Sequence, residues 1–144
     1  MKKYITDSPS ETRAVAAEFA KTLSPGSVVC MYGDLGAGKT AFAQGMAEGL
    51  GIDEPVTSPT FTIINEYEGT LPLYHFDVYR VGDSAGMAET GFDEYIDGDG
   101  ICVIEWAELI EDILPDDRIN VTISRLPERG DDAREIIIAS EDQS

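Results

Sequence analysis

The stretch Gly33-Asp34-Leu35-Gly36-Ala37-Gly38-Lys39-Thr40 spells glycine, four residues, then Gly-Lys-Thr, a spacing that suits a backbone loop closing around phosphate. Glycine permits the backbone angles that turn successive amides inward, so Leu35, Gly36, Ala37 and Gly38 are expected to donate to the phosphates of a magnesium nucleotide. A helix beginning near Lys39 adds the positive end of its dipole. Lys39 can then reach the terminal phosphates as a point charge, and the Thr40 hydroxyl can ligate magnesium. A chance glycine turn gives the same letters, but here an apolar run precedes the turn and an amphipathic pattern follows it.

A nucleotide site of this kind needs carboxylates near its metal. Two apolar runs end in an acid, Leu73-Tyr74-His75-Phe76-Asp77 and Ile101-Cys102-Val103-Ile104-Glu105. Asp77 is expected to position magnesium, directly or through water; Glu105 is either a second metal contact or the group that orients an attacking water. Each acid alone is equally well read as a solvated strand end; two with the same placement beside a phosphate loop favour the functional reading. Thr60, within Val56-Thr57-Ser58-Pro59-Thr60-Phe61, is a candidate sensor of the last phosphate, and a plain proline turn explains that segment as well. His75 is the only histidine; its place inside a strand favours a packed or hydrogen-bonded residue over a catalytic base. Trp106 either stacks near the nucleotide or fills the core, with base rates favouring the core.

Positioning these groups falls to elements legible in the pattern. Ser8-Pro9-Ser10-Glu11 is a capped helix start, and Val15, Phe19 and Leu23 give that helix an apolar stripe up to about Leu23. Val28 to Tyr32 reads as a central strand covered on both faces. Lys39 to Leu50 is a helix facing inward with Phe42, Met46 and Leu50, closed by Gly51. Thr60 to Tyr67 and Leu71 to Asp77 read as a hairpin, Asp83 to Ile96 as short helical turns, and Ile101 to Glu105 as a strand. A short helix over Ala107 to Leu114 and two last strands, Ile119 to Ser124 and Glu135 to Ala139, complete the reading. The sum is an α/β chain with a mixed sheet, helices on both faces, and a ligand site where strands run into loops.

Composition narrows the function classes. The 144 residues suit one domain, 1–144, with a disordered acidic tail from about 140, and no apolar run approaches a membrane span. The polar start after Met1-Lys2-Lys3 lacks the apolar stretch of a secretory signal, so a cytoplasmic protein is expected. Cys30 and Cys102 each sit in an apolar run and read as buried thiols. Twenty-eight acids against ten Lys plus Arg leave a net charge of −18. Such a surface repels polyanions, so autonomous RNA binding is disfavoured. The acidity serves solubility or steers the chain toward a basic partner. Guanine specificity is unsupported, because no Asn-Lys-any-Asp element occurs.

At these motifs the chain resembles the TsaE (YjeE) family, the ATPase component of the bacterial machinery that makes threonylcarbamoyl-adenosine in tRNA. The resemblance covers nearly the whole length. It is carried by the glycine-rich run at 33–40, Ser-Pro-Thr-Phe at 58–61, His-Phe-Asp-Val-Tyr-Arg at 75–80 and Ile-Glu-Trp at 104–106, in the family's order and spacing. It implies a three-layer P-loop NTPase fold with a mixed, mostly parallel central sheet. It also implies ATP and magnesium as ligands, slow hydrolysis by the chain alone, and docking on a TsaB–TsaD pair, with tRNA met only through that complex. Carried over by position, Lys39 and Thr40 hold phosphate and magnesium, Asp77 and Glu105 serve the metal region, and Thr12 neighbours the adenine. Arg134 is a further nucleotide contact in the loosely matching C-terminal region. Ala41 replaces the second threonine common in the family, and Ala107 replaces a frequent proline. Two other readings remain open at this point. A small-molecule P-loop kinase would need an arginine-rich lid, and the chain has only six arginines; a nucleotide-dependent binding module would need no arginine finger in cis, for which Arg80 is the one candidate.

Overall fold

Val28-Val29-Cys30-Met31-Tyr32 carries no polar alternation because both of its faces are covered: Val28 and Cys30 pack into one apolar cluster, Val29 and Met31 into another. The computed structural model describes residues 2–33, 38–54, 64–78, 84–88 and 91–140. In chain order the strands are β1 (Lys2–Thr6), β2 (Val28–Tyr32), β3 (Ile64–Tyr67), β4 (Leu73–Asp77), β5 (Ile101–Glu105), β6 (Ile119–Arg125) and β7 (Arg134–Ser140). The helices are α1 (Pro9–Ala20), α2 (Lys39–Gly49), α3 (Ser84–Ala88) and α4 (Phe92–Ile96), with 3-10 turns at Ala107–Leu109 and Glu111–Ile113.

One seven-stranded sheet runs in the order β1-β7-β6-β2-β5-β4-β3. Its middle is parallel, β6 to β2 to β5 to β4, and its flanks are antiparallel, with β3 on β4, β7 on β6 and β1 on β7. α1 and α2 cover one face; α3, α4 and the 3-10 turns cover the other, where Phe76 meets Phe92 and Tyr95 edge-on. The three layers and the β3–β4 hairpin agree with the sequence reading. So do the thiols: Cys30 and Cys102 are buried and form no disulfide, and burial pushes the Cys102 thiol up to about 12. The segments 55–63, 79–83, 89–90 and 141–144, which include the beginning of the expected Thr60 strand and most of the expected tail, lie outside the described residues.

Three expectations need correction. β1 was not anticipated: four of its five residues are exposed, so the strand carries no burial pattern and exists through its pairing with β7. The first helix ends at Ala20 rather than near Leu23, and its buried residues are Thr12, Ala16 and Ala20, while Val15, Phe19 and Leu23 flank the contact half-buried. The residues from Ala107 to Leu114 form two 3-10 turns instead of one short helix. Ser8 caps α1 by accepting from the Glu11 amide at 3.2 Å, but Glu11 reaches back to the Asp7 amide, one residue beyond the usual reciprocal partner.

The shift of the buried stripe on α1 follows from how closely α1 and α2 approach. A β-carbon on Gly45 would lie 2.3 Å from the Arg13 carbonyl oxygen and 2.7 Å from the Ala16 β-carbon. Only small residues fit between the two backbones, and the larger apolar side chains of α1 pack half-buried along the edge of the contact, Phe19 against Phe42. Gly45→Ala would improve helix propensity by about 1 kcal/mol. The overlap with rigid backbone is expected to outweigh this, lowering stability by about 1–3 kcal/mol in a urea titration. A variant as stable as the parent would mean that the helices do not touch there.

Candidate functional site

The site is built where the parallel strands end. β2 runs into Gly33, whose φ is 144 and on which a β-carbon would lie 2.3 Å from the Ile123 carbonyl oxygen of neighbouring β6. Only glycine lets the chain leave the sheet at this point. The next described residue is Gly38, the N-cap of α2 with φ 104, and Lys39 and Thr40 open the helix. Leu35, Gly36 and Ala37 lie outside the described residues, as do Thr60 and Arg80.

Lys39 is 5% exposed, and its Nζ has no hydrogen-bond partner among the described residues. The ammonium sits 4.2 Å from the ring centroid of Trp106. A cation on an aromatic face gains roughly 0.5–2 kcal/mol, well short of what a hydrated ammonium loses on burial. The orphaned cation at the head of α2 is therefore the feature that an anion would satisfy, which fits the phosphate chain of a nucleotide. Trp106 holds its indole there from a left-handed backbone, φ 63, the only non-glycine positive φ among the described residues. An aromatic residue pays strain for that conformation, which the surrounding structure must impose. Of the two sequence readings for Trp106, the half-buried indole touches the lysine of the glycine-rich turn and also packs against the second apolar cluster.

Asp77 and Glu105 end adjacent parallel strands and are direct register partners; Glu105 is also the partner of Met31 on β2. Strand alternation puts both acids on the same face as Leu73, Val103 and Met31, the face covered by α2. Glu105 is buried at 6% exposure, and its Oε2 lies 2.6 Å from Nε2 of His75, which is completely buried. Asp77 is half-buried. Among the described residues no group of three or more His, Cys, Asp or Glu side chains converges to hold a metal. Magnesium characteristically takes one or two carboxylates and completes its shell with water and substrate phosphate, and Thr40, Asp77 and Glu105 fit that donor set in type.

Thr12 is buried on α1, its hydroxyl hydrogen-bonded to that of Thr6 at 2.7 Å. Together with Pro9, Gly38, Ala41, Asp132 and Arg134 it lines a small cleft beside the entry to α2. Thr12 and Arg134 are far apart in the sequence, and the cleft joins them to the glycine turn. Arg134 donates from Nη1 to the carbonyls of Asp131 and Ala133, both at 2.8 Å. Arg129 donates to both carboxylate oxygens of Asp7 and holds that carboxyl below its usual range. Sequence reasoning missed Asp132, the Arg129–Asp7 tie and the Lys39–Trp106 contact. The last two join residues whose separation leaves no local signal. The placement of His75 and Asp77 on one face was available from strand alternation, but the register that sets Glu105 beside them comes from the β4–β5 pairing.

A parallel sheet core, with a central strand passing through a glycine turn into a lysine-headed helix and two acids on neighbouring strand ends, defines a P-loop NTPase fold. The family model described as "Threonylcarbamoyl adenosine biosynthesis protein TsaE" matches residues 6–136. The chain belongs to the TsaE family. The protein of that name from Bacillus subtilis is 53% identical over 135 residues, covering 93% of this chain and 82% of the relative. The one from Treponema pallidum is 41% identical over 137 residues, covering 95% and 99%. The crystal structure of Bacillus subtilis YdiB superposes with a TM-score of 0.79 at 46% identity, covering 99% of this chain and 87% of that one. Among the described residues no helix is long and apolar enough to cross a membrane.

Proposed function

We propose that this chain binds ATP with magnesium at the turn between β2 and α2 and hydrolyses it slowly, acting in the cytoplasm with a TsaB–TsaD pair in the threonylcarbamoyl-adenosine modification of tRNA. The observation that carries the ATP reading is the buried Lys39 ammonium, without a hydrogen-bond partner among the described residues, at the head of a helix that follows a central parallel strand. Family membership and the names of the relatives support the place in tRNA modification.

In this reading the amides from Leu35 to Gly38 and the Lys39 ammonium bind the phosphate chain, while Thr12 and Arg134 flank the base. Thr40 and Asp77 would hold magnesium, which supplies charge neutralisation on the phosphate oxygens. Glu105 holds the attacking water or contacts the metal region, and Thr60 senses the last phosphate. Either Arg80 or a partner would supply any missing positive charge, and a partner that does so would stimulate turnover strongly. The chain would not handle the threonylcarbamoyl group itself, and its acidic surface leaves tRNA contact to the partners.

ATP hydrolysis should be slow for the chain alone and rise roughly tenfold or more when the TsaB–TsaD pair is added. A rate indifferent to the pair, or transfer of the phosphoryl group to a metabolite, would refute the proposal.

A further inference from the structure

We propose that His75 is a positioning residue for Glu105, which it holds in one orientation with Oε1 as the less engaged oxygen; the assignment rests on the ATPase reading above. His75 lies on β4 among Leu73 and Phe76, fully buried, where an apolar side chain would pack at no polar cost. Its hydrogen bond is to Glu105 Oε2, across to β5, at 2.6 Å.

The tautomer follows from what the ring lacks. Nδ1 of His75 is buried with no hydrogen-bond partner among the described residues. A proton there would be an orphaned buried donor, which is costlier than an unfilled acceptor lone pair. The proton therefore sits on Nε2, and the neutral ring donates to the carboxylate.

Two consequences reach the chemistry. Oε2 uses one lone pair on the His75 hydrogen bond, so Oε1 is the less engaged oxygen of Glu105 and the better acceptor. Glu105 then acts chiefly through Oε1, as acceptor of a water proton or as a contact to the metal region. The orientation is also over-determined, because the Glu105 backbone is paired with Met31 on one side and Asp77 on the other, and the next residue is the left-handed Trp106. Hydrogen-bonded partners of this type characteristically change activity by about 10–100-fold when removed.

His75 is the only histidine in the chain, so its ring nitrogens can be observed without assignment ambiguity. In the free full-length protein, nitrogen-15 imidazole spectra at neutral pH should show the Nε2–H tautomer, with the Nε2–H proton moving upfield in Glu105→Gln, whose amide is a weaker acceptor. The opposite tautomer, or a resonance indifferent to Glu105→Gln, overturns the inference. In steady-state hydrolysis with the partner pair, His75→Leu should lower kcat about 10–100-fold. Its ADP affinity by calorimetry should stay within about twofold, and His75→Gln, which keeps an N–H donor, should recover most of the rate. Wild-type turnover in His75→Leu, or equal loss in both variants, would reduce His75 to packing. If the wild-type chain does not hydrolyse ATP even with the pair, the ATPase reading fails instead, and the imidazole spectrum alone decides whether His75 holds Glu105.

Discussion

Lys39→Ala is expected to abolish ATP binding at concentrations that saturate the wild-type protein. The ammonium is buried on Trp106 with no hydrogen-bonding oxygen among the described residues, so its charge is satisfied poorly without an anion. Two charge-assisted bonds to phosphate oxygens would contribute roughly 3–6 kcal/mol together, against about 2 kcal/mol at most from the ring it gives up. The net loss corresponds to at least about fivefold, and up to about 10⁴-fold if the ring contact is kept in the complex. The fold should tolerate the change, since removing a poorly paired buried charge is neutral or stabilising. Calorimetry at matched thermal stability checks both halves. Wild-type affinity in the variant would remove Lys39 from the site and, with it, the central argument for phosphate at this turn.

Replacing the strand-end acids should separate binding from turnover. Asp77→Asn and Glu105→Gln are each expected to lower kcat by about 10²–10³-fold while nucleotide affinity changes less than about fivefold, because the groups serve charge and water in the transition state more than the resting complex. The amide variants are the informative ones at Glu105. Glu105→Ala would also leave Nε2–H of the buried His75 without its acceptor, costing about 1–3 kcal/mol of stability and confusing the kinetic result. Single-turnover hydrolysis with the partner pair, beside calorimetry with ADP, gives the two numbers. Unchanged turnover in both variants would remove the acids from catalysis; an equal loss of affinity and rate would make them binding groups.

The same residues mark how far a linear reading reaches. The glycine-rich turn was legible because its chemistry is local: spacing, glycine and a following helix lie within one short stretch. The buried β2 and the inward face of α2 were legible for the same reason, since Phe42, Met46 and Leu50 are all buried as their spacing implied. β1 was not legible, because Lys2 to Ile5 are exposed and owe their conformation to a partner strand more than a hundred residues away. The face of α1 was legible in part, since Val15, Phe19 and Leu23 do pack half-buried against the core. Apolar size pointed to Val15, Phe19 and Leu23, whereas the close approach at Gly45 selected the small residues Thr12, Ala16 and Ala20.

For the site, the linear order shows which groups are available: a glycine-rich turn, a lysine, a hydroxyl and two acids that each end an apolar strand. Covalent order is enough for that, since each signal is contained in one element. How they meet depends on strand pairing. Parallel pairing of β4 with β5 and of β5 with β2 sets Asp77, Glu105 and the exit toward Gly33 side by side. The same pairing brings His75 within a hydrogen bond of Glu105, and the turn after β5 lays Trp106 under Lys39. Strand register and a strained backbone angle are properties of contacts between distant segments, so no local pattern encodes them.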